Sequence, residues 1–308
     1  MLKINRRKFC AIATGAAASI AAGLRTSAAA AADHPFQLRY ALASCLYGDM
    51  KLDEILPQLS RAGAECLDLW PSPHGNQREA IDELGVDKFR ELLSRYDVRL
   101  GLTTRYDLGP FGLDEELRHV AKLGGNLVVT GSNRAKGLSA AETKSVVREF
   151  VRKMSPHVAV AEKCGVTIAI ENHVRTLIDS PDSLKYLAEF SPSTRLGIAM
   201  APYHLPQDAK LLADLIESLG PNLVHFYAWQ YGCGCTKKMP KEKELEQLPG
   251  RGKLSFRPLL EALRRIEYRG FTEIFMHTTP RGLPIRDSAA EVTDEINRAR
   301  KYLEDCLR

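Results

Sequence analysis

The stretch VTIAIENHVRTLIDSPDSLKYLAEFSPSTRLGIAMA, from Val166 to Ala201, holds a complete β–α–β unit: a strand over Val166–Glu171, an amphipathic helix over Ser183–Glu189 and a second strand over Leu196–Ala201. The same alternation continues in both directions. Further strands are expected over Leu38–Ser44, Cys66–Trp70, Val98–Thr103 and Leu127–Thr130 before it, and over Leu223–Tyr227 and Thr272–His277 after it. Helical periodicity marks Asp53–Ala62, Asp87–Tyr96, Asp114–Lys122, Ala140–Lys163, Ala209–Ser218, Phe256–Ile266 and Ala289–Leu307. Eight β-α units between Asp33 and Arg308, with no linker between them, predict one domain, a closed (β/α)8 TIM barrel, which typically needs about 250 residues. A doubly wound open sheet is the competitor. It would normally show a Gly-rich phosphate turn after the first strand, where Ala43-Ser44-Cys45-Leu46-Tyr47 has none.

Composition narrows the class. Of 308 residues 44% are hydrophobic, Gly and Pro follow no period, and seven cysteines are sparse, which excludes a disordered, collagenous or disulfide-dense chain. Residues 1–32 read as a targeting segment: Asn5-Arg6-Arg7-Lys8-Phe9 is a twin-arginine pattern, followed by an Ala-rich run from Ala11 to Leu24 and alanines up to Ala32. Cleavage near Ala30–Ala32 and export to the periplasm are expected. The run is too short and too Ala-dominated for a membrane span, which wants roughly 20 strongly apolar residues, so no stable anchor is expected. Lys3, Arg6, Arg7, Lys8 and Arg25 account for the whole formal charge of +5, because no acid precedes Asp33. After Ala32 bases and acids balance, and the electrostatic case for a nucleic-acid partner disappears.

Alternation along each strand says which side chains enter the barrel. In Leu196–Ala201 the large side chains fall on one parity and Gly197, Ala199 and Ala201 on the other, so Ala201 points inward. The same rule places Glu171, His225 and Tyr227 inside, together with Glu273, Phe275 and His277, and His204 follows the sixth strand. A carboxylate and several imidazoles converging on the C-terminal strand ends suit a divalent metal, and equally suit proton transfer next to a carbonyl. A site of Glu171, His204, His225 and His277 would take zinc, manganese, nickel or iron in preference to magnesium, imidazole being the softer donor. Asp68 on the second strand, Trp229 and Arg251 are candidate substrate contacts, the first through a sugar hydroxyl and the second by stacking. The long segment from Trp229 to Pro249, with Cys233-Gly234-Cys235, is a candidate lid; the cysteines are expected to be solvent-exposed or oxidised. The Pro280-Arg281-Gly282 turn is a candidate rim contact.

These motifs together resemble the xylose isomerase-like barrel family of sugar phosphate isomerases and epimerases. The similarity runs through Ala62-Gly63-Ala64, Ile170-Glu171-Asn172-His173, Pro202-Tyr203-His204, Val224-His225-Phe226, the segment Leu248–Phe256 and Tyr268-Arg269-Gly270-Phe271. The resemblance implies a divalent metal held by Glu on the fifth strand, Asp on the sixth, His on the seventh and Glu on the eighth, with a further His holding substrate. Glu171 and His225 match two of these ligands, and His204 matches the substrate-holding His. Ala201 stands where the Asp is expected and Phe275 where the second Glu is expected, and His277 is the candidate replacement. The implied activity is an exported enzyme that isomerises, epimerises or eliminates at a free sugar or keto-glycoside, with Glu171 and His204 as catalytic groups. The alternative is a periplasmic sugar-binding barrel that has lost the family metal site; an apurinic endonuclease fits neither the charge balance nor Ala201.

Overall fold

Short apolar runs form the strands. In a computed structural model that describes residues 36–135 and 137–308, they are β1 (Arg39–Ala43), β2 (Cys66–Leu69), β3 (Leu100–Thr104), β4 (Leu127–Gly131), β5 (Thr167–Glu171), β6 (Leu196–Met200), β7 (Leu223–Ala228) and β8 (Phe271–Ile274). Each pairs in parallel with the next and β8 closes onto β1, which makes the barrel. The predicted targeting segment lies outside the described residues, as does the side chain of Cys233.

Helices return the chain between strands: α1 (Leu52–Ile55), α2 (Gln58–Arg61), α3 (Gln77–Leu84), α4 (Val86–Arg95), α5 (Asp114–Lys122), α6 (Ala140–Cys164), α7 (Pro181–Phe190), α8 (Ala209–Leu219), α9 (Lys241–Glu244), α10 (Arg257–Arg265) and α11 (Ala289–Leu307). Most bury one apolar stripe against the strands, as Leu212, Leu215, Ile216 and Leu219 do in α8. Helix α9 was not among the expected helices, and two further differences have a physical reason. The helix expected over Asp53–Ala62 is broken at Pro57, which has no N–H for the helical ladder. The unexpected α3 buries Gln77 and Arg78 beside Ile81, so its inner face is largely polar and leaves no apolar period to read. Helix α6 starts in a reciprocal cap, Ser139 with Glu142, and stops at Gly165 in the left-handed region (φ 70°). No helix among the described residues is long and apolar enough to cross a membrane.

The eighth strand is shorter than expected. It stops at Ile274, so inward alternation cannot be carried to Phe275 and His277, which belong to the loop above the barrel.

Candidate active site

The barrel floor is acidic and sealed from solvent. Asp68, His225 and Glu273 are completely buried. Register brings them together: His225 lies opposite Ala199 and Phe271, while Glu273 lies opposite Ala41 and Tyr227. His225 Nε2 is 3.4 Å from Glu273 Oε2, and Thr104 donates a hydrogen bond to Asp68 Oδ2 at 2.8 Å. Burial, reinforced by their mutual repulsion, pushes the Asp68 carboxyl far up; burial also raises Glu273. Burial drives His225 down to about 4. The His225 ring is therefore neutral at pH 7.

One layer nearer the mouth stands Glu171, the last residue of β5. It is 3% exposed, and burial lifts its carboxyl to about 8 even though a donated hydrogen bond from Tyr106 opposes the rise. Tyr106 hangs from the loop after β3, and its hydroxyl donates to Glu171 Oε2. Gly131, paired with Glu171 at the end of β4, makes this contact possible: a Cβ there would come within 2.9 Å of Tyr106 Cε1. Gly131→Ala is therefore expected to push the ring off Glu171 and lower turnover about tenfold while leaving thermal stability nearly unchanged; steady-state rates with a melting curve check it.

The other oxygen, Glu171 Oε1, faces His204 Nε2 at 3.9 Å. The short helical turn Pro202–His204 sets this ring in place, and it packs on His173 with ring centres 4.1 Å apart. His204 Nε2 is buried without a protein partner, and burial, followed by the neighbouring His173 ring and the charge of Arg281, holds the ring neutral, at about 2. Asn172 locks the scaffold beneath: its amide donates to the Ala201 carbonyl at 3.0 Å and accepts from the Ala201 N–H at 2.8 Å.

Aromatic rings wall the mouth. Trp229 stacks on Tyr203 at 4.0 Å, and Trp70 stacks on Phe275 at 5.0 Å. His277 stands edge-on to Trp70 and Trp229 and 4.7 Å from the ring of His74. Trp229 thus meets both His204 and His277 edge-on. The long segment after β7 is fastened down by the buried Gln247, which accepts from Trp229 Nε1 at 3.0 Å and donates to the His277 carbonyl at 2.8 Å. Cys235 in this segment is buried, against the expectation of exposure.

Three expected roles change. Asp68 is a sealed floor residue, with no exposed surface to offer a substrate hydroxyl. Arg251 spends its guanidinium on Glu295 at 2.6 Å and Glu242 at 3.0 Å, clamping the lid segment to α11 rather than facing a substrate. The four predicted metal ligands are not drawn around one centre, because His225 faces Glu273 on the floor and His277 sits in the aromatic wall beyond the end of β8. The donors present do not fit the expected ion: Ala201 and Phe275 offer none, and Tyr106 occupies one oxygen of Glu171. Among the described residues no group of three His, Cys, Asp or Glu is placed to hold a metal. Tyr106 and Glu273 were not candidates. The inward parity of Glu273 was readable, whereas Tyr106 lies on a loop with no periodicity to place it.

A buried acid, a neutral imidazole and aromatic walls at the C-terminal ends of a parallel barrel define the class: a TIM barrel with its pocket where such folds carry chemistry. The chain belongs to the xylose isomerase-like TIM barrel family, whose model matches residues 56–302. No curated protein matches it in sequence. Among solved structures it is similar to the IolI protein with a bound zinc atom (TM-score 0.66, 13% identity, 88% of this chain and 98% of that one). It is also similar to D-psicose 3-epimerase with D-tagatose from Clostridium cellulolyticum H10 (0.64, 16%, 88% and 100%) and to the E. coli 3-keto-D-glucoside 4-epimerase YcjR (0.60, 14%, 86% and 100%).

Proposed function

We propose that this chain moves a proton at the carbon next to the carbonyl of a keto-sugar, the step common to isomerisation and epimerisation. The observation that carries the reading is the Tyr106–Glu171–His204 arrangement. Tyr106 fixes one oxygen of Glu171 and leaves Oε1 free, directed toward His204 Nε2. Oε1 takes the proton from the C–H, and the His204 ring donates to the carbonyl oxygen as negative charge gathers there. A neutral imidazole is the right donor, since it stabilises the enediolate without protonating it outright. Glu171 then returns the proton from the same face to the neighbouring carbon while that carbon's hydroxyl proton passes to the former carbonyl oxygen beside His204, which completes an isomerisation; epimerisation requires the enediolate to turn over before Glu171 returns the proton. Trp229 and Tyr203 supply flat surfaces for the sugar. Export by the twin-arginine route, and hence a free rather than phosphorylated sugar, belong to the same proposal.

The donor set leaves this reading without a metal step. It also supports a second one, a binding barrel that retains the pocket alone. Incubation with a panel of free ketoses and keto-glycosides, followed by chromatography of the sugars, separates them: rearranged product supports catalysis, and ligand-induced thermal stabilisation without product supports binding. For catalysis the pH profile is set by Glu171. Because the base form is needed and its value lies near 8, kcat/KM should climb about tenfold per pH unit below 8 and level off above it. A profile flat from pH 6 to 9 would contradict Glu171 as the base.

A further inference from the structure

Among the described residues, Arg281 differs from the other partly buried guanidinium groups near the mouth, which are paired with acids. Arg78 and Arg105 meet Glu116, and Arg251 and Arg286 meet Glu242 and Glu295. Arg281, in the loop after β8, donates to the Thr278 carbonyl at 2.7 Å and to Cys235 Sγ at 3.4 Å and forms no ion pair with any described residue. Asp49, on the neighbouring loop, is exposed and lies against the backbone of Gly282 instead. Two donated bonds leave three of the five guanidinium N–H groups free.

Its position is over the pocket. Cys235 adjoins Tyr203, which packs on His204, and the four imidazoles at the mouth, His74, His173, His204 and His277, are lowered first by burial and further by the charge of Arg281. These rings form two close pairs, His74 with His277 and His173 with His204, and the second pair reaches Glu171, whose Oε1 lies 3.9 Å from His204 Nε2. Arg281 thus reaches the pocket mouth without a carboxylate partner among the described residues.

We propose that the substrate is a sugar acid, its carboxylate paired with Arg281 at the mouth while its keto carbon reaches Glu171. The proposal rests on the keto-sugar reading and narrows it. A planar guanidinium with three uncommitted N–H groups matches one carboxylate; Arg175 on the loop after β5 adds a second positive charge near His173, so a phosphate is the competing anion.

Calorimetric binding to Glu171→Gln, which keeps ligands unreacted, tests it with 2-keto-D-gluconate, 5-keto-D-gluconate, D-fructose, D-tagatose and D-fructose 6-phosphate. The keto acids should bind at least tenfold more tightly than the neutral ketoses. Adding Arg281→Met should weaken them about 10- to 100-fold and the ketoses less than about threefold, with Arg281→Lys recovering part of the loss. Equal binding of acids and ketoses, an equal loss for both on Arg281→Met, or preference for the phosphate overturns the sugar-acid assignment and leaves the keto-sugar reading standing. If no sugar binds while the melting curve shows a folded protein, the keto-sugar reading falls as well.

Discussion

Glu171→Gln should lower turnover by about 10²- to 10⁴-fold while leaving ligand affinity within about threefold. The amide has nearly the shape of the carboxyl and still accepts from the Tyr106 hydroxyl, so the ring and the β4–β5 end should stay in place. What disappears is the ability of Oε1 to take a proton beside His204. Initial rates and calorimetric binding measured on the same preparation check this. A variant that keeps more than a tenth of the activity would place the base elsewhere, and the floor acids Asp68 and Glu273 would be the next groups to replace.

The largest stability effect is expected at Glu116 on α5. It accepts from Arg78 Nε at 3.0 Å and Nη2 at 2.8 Å, and from Arg105 Nη1 at 2.5 Å. The Arg78 and Glu116 side chains are 7% and 2% exposed, so the pair is out of solvent. Glu116→Ala leaves two guanidinium groups to Asp82 and Asp107 alone, of which Asp82 is largely in water. Breaking a buried pair from one side costs about 3–5 kcal/mol, a large part of the roughly 5–15 kcal/mol that holds a domain folded. Urea unfolding should show that loss, with activity per folded molecule preserved at low temperature. A change under 1 kcal/mol would mean that the network is wet and contributes little.

Much of the barrel was legible because its signals are local. The apolar runs of β4 and β6 and the stripe of α5 can be read within a few residues of their limits, and alternation along β5, β7 and β8 puts Glu171, His225 and Glu273 in the interior. What was not legible depends on contacts distant in sequence. Arg251 looked available until α11 brought Glu295 to it, and α3 showed no apolar stripe because a buried ion pair covers its inner face. Tyr106 reaches Glu171 only over the bare backbone of Gly131. His277 was misplaced for a simpler reason: the two-residue period holds only while the strand lasts, and β8 ends at Ile274.

The central claim is that Glu171 exchanges a proton with the carbon beside a sugar carbonyl, and exchange can be followed without knowing which product is released. Wild-type protein incubated with keto-sugars and keto-aldonates in D2O, and followed by proton NMR, should replace the hydrogen at that carbon with deuterium for at least one sugar, and Glu171→Gln should not. Persistence of the protonated signal in a sugar that demonstrably binds, or equal exchange with Glu171→Gln, would contradict the account.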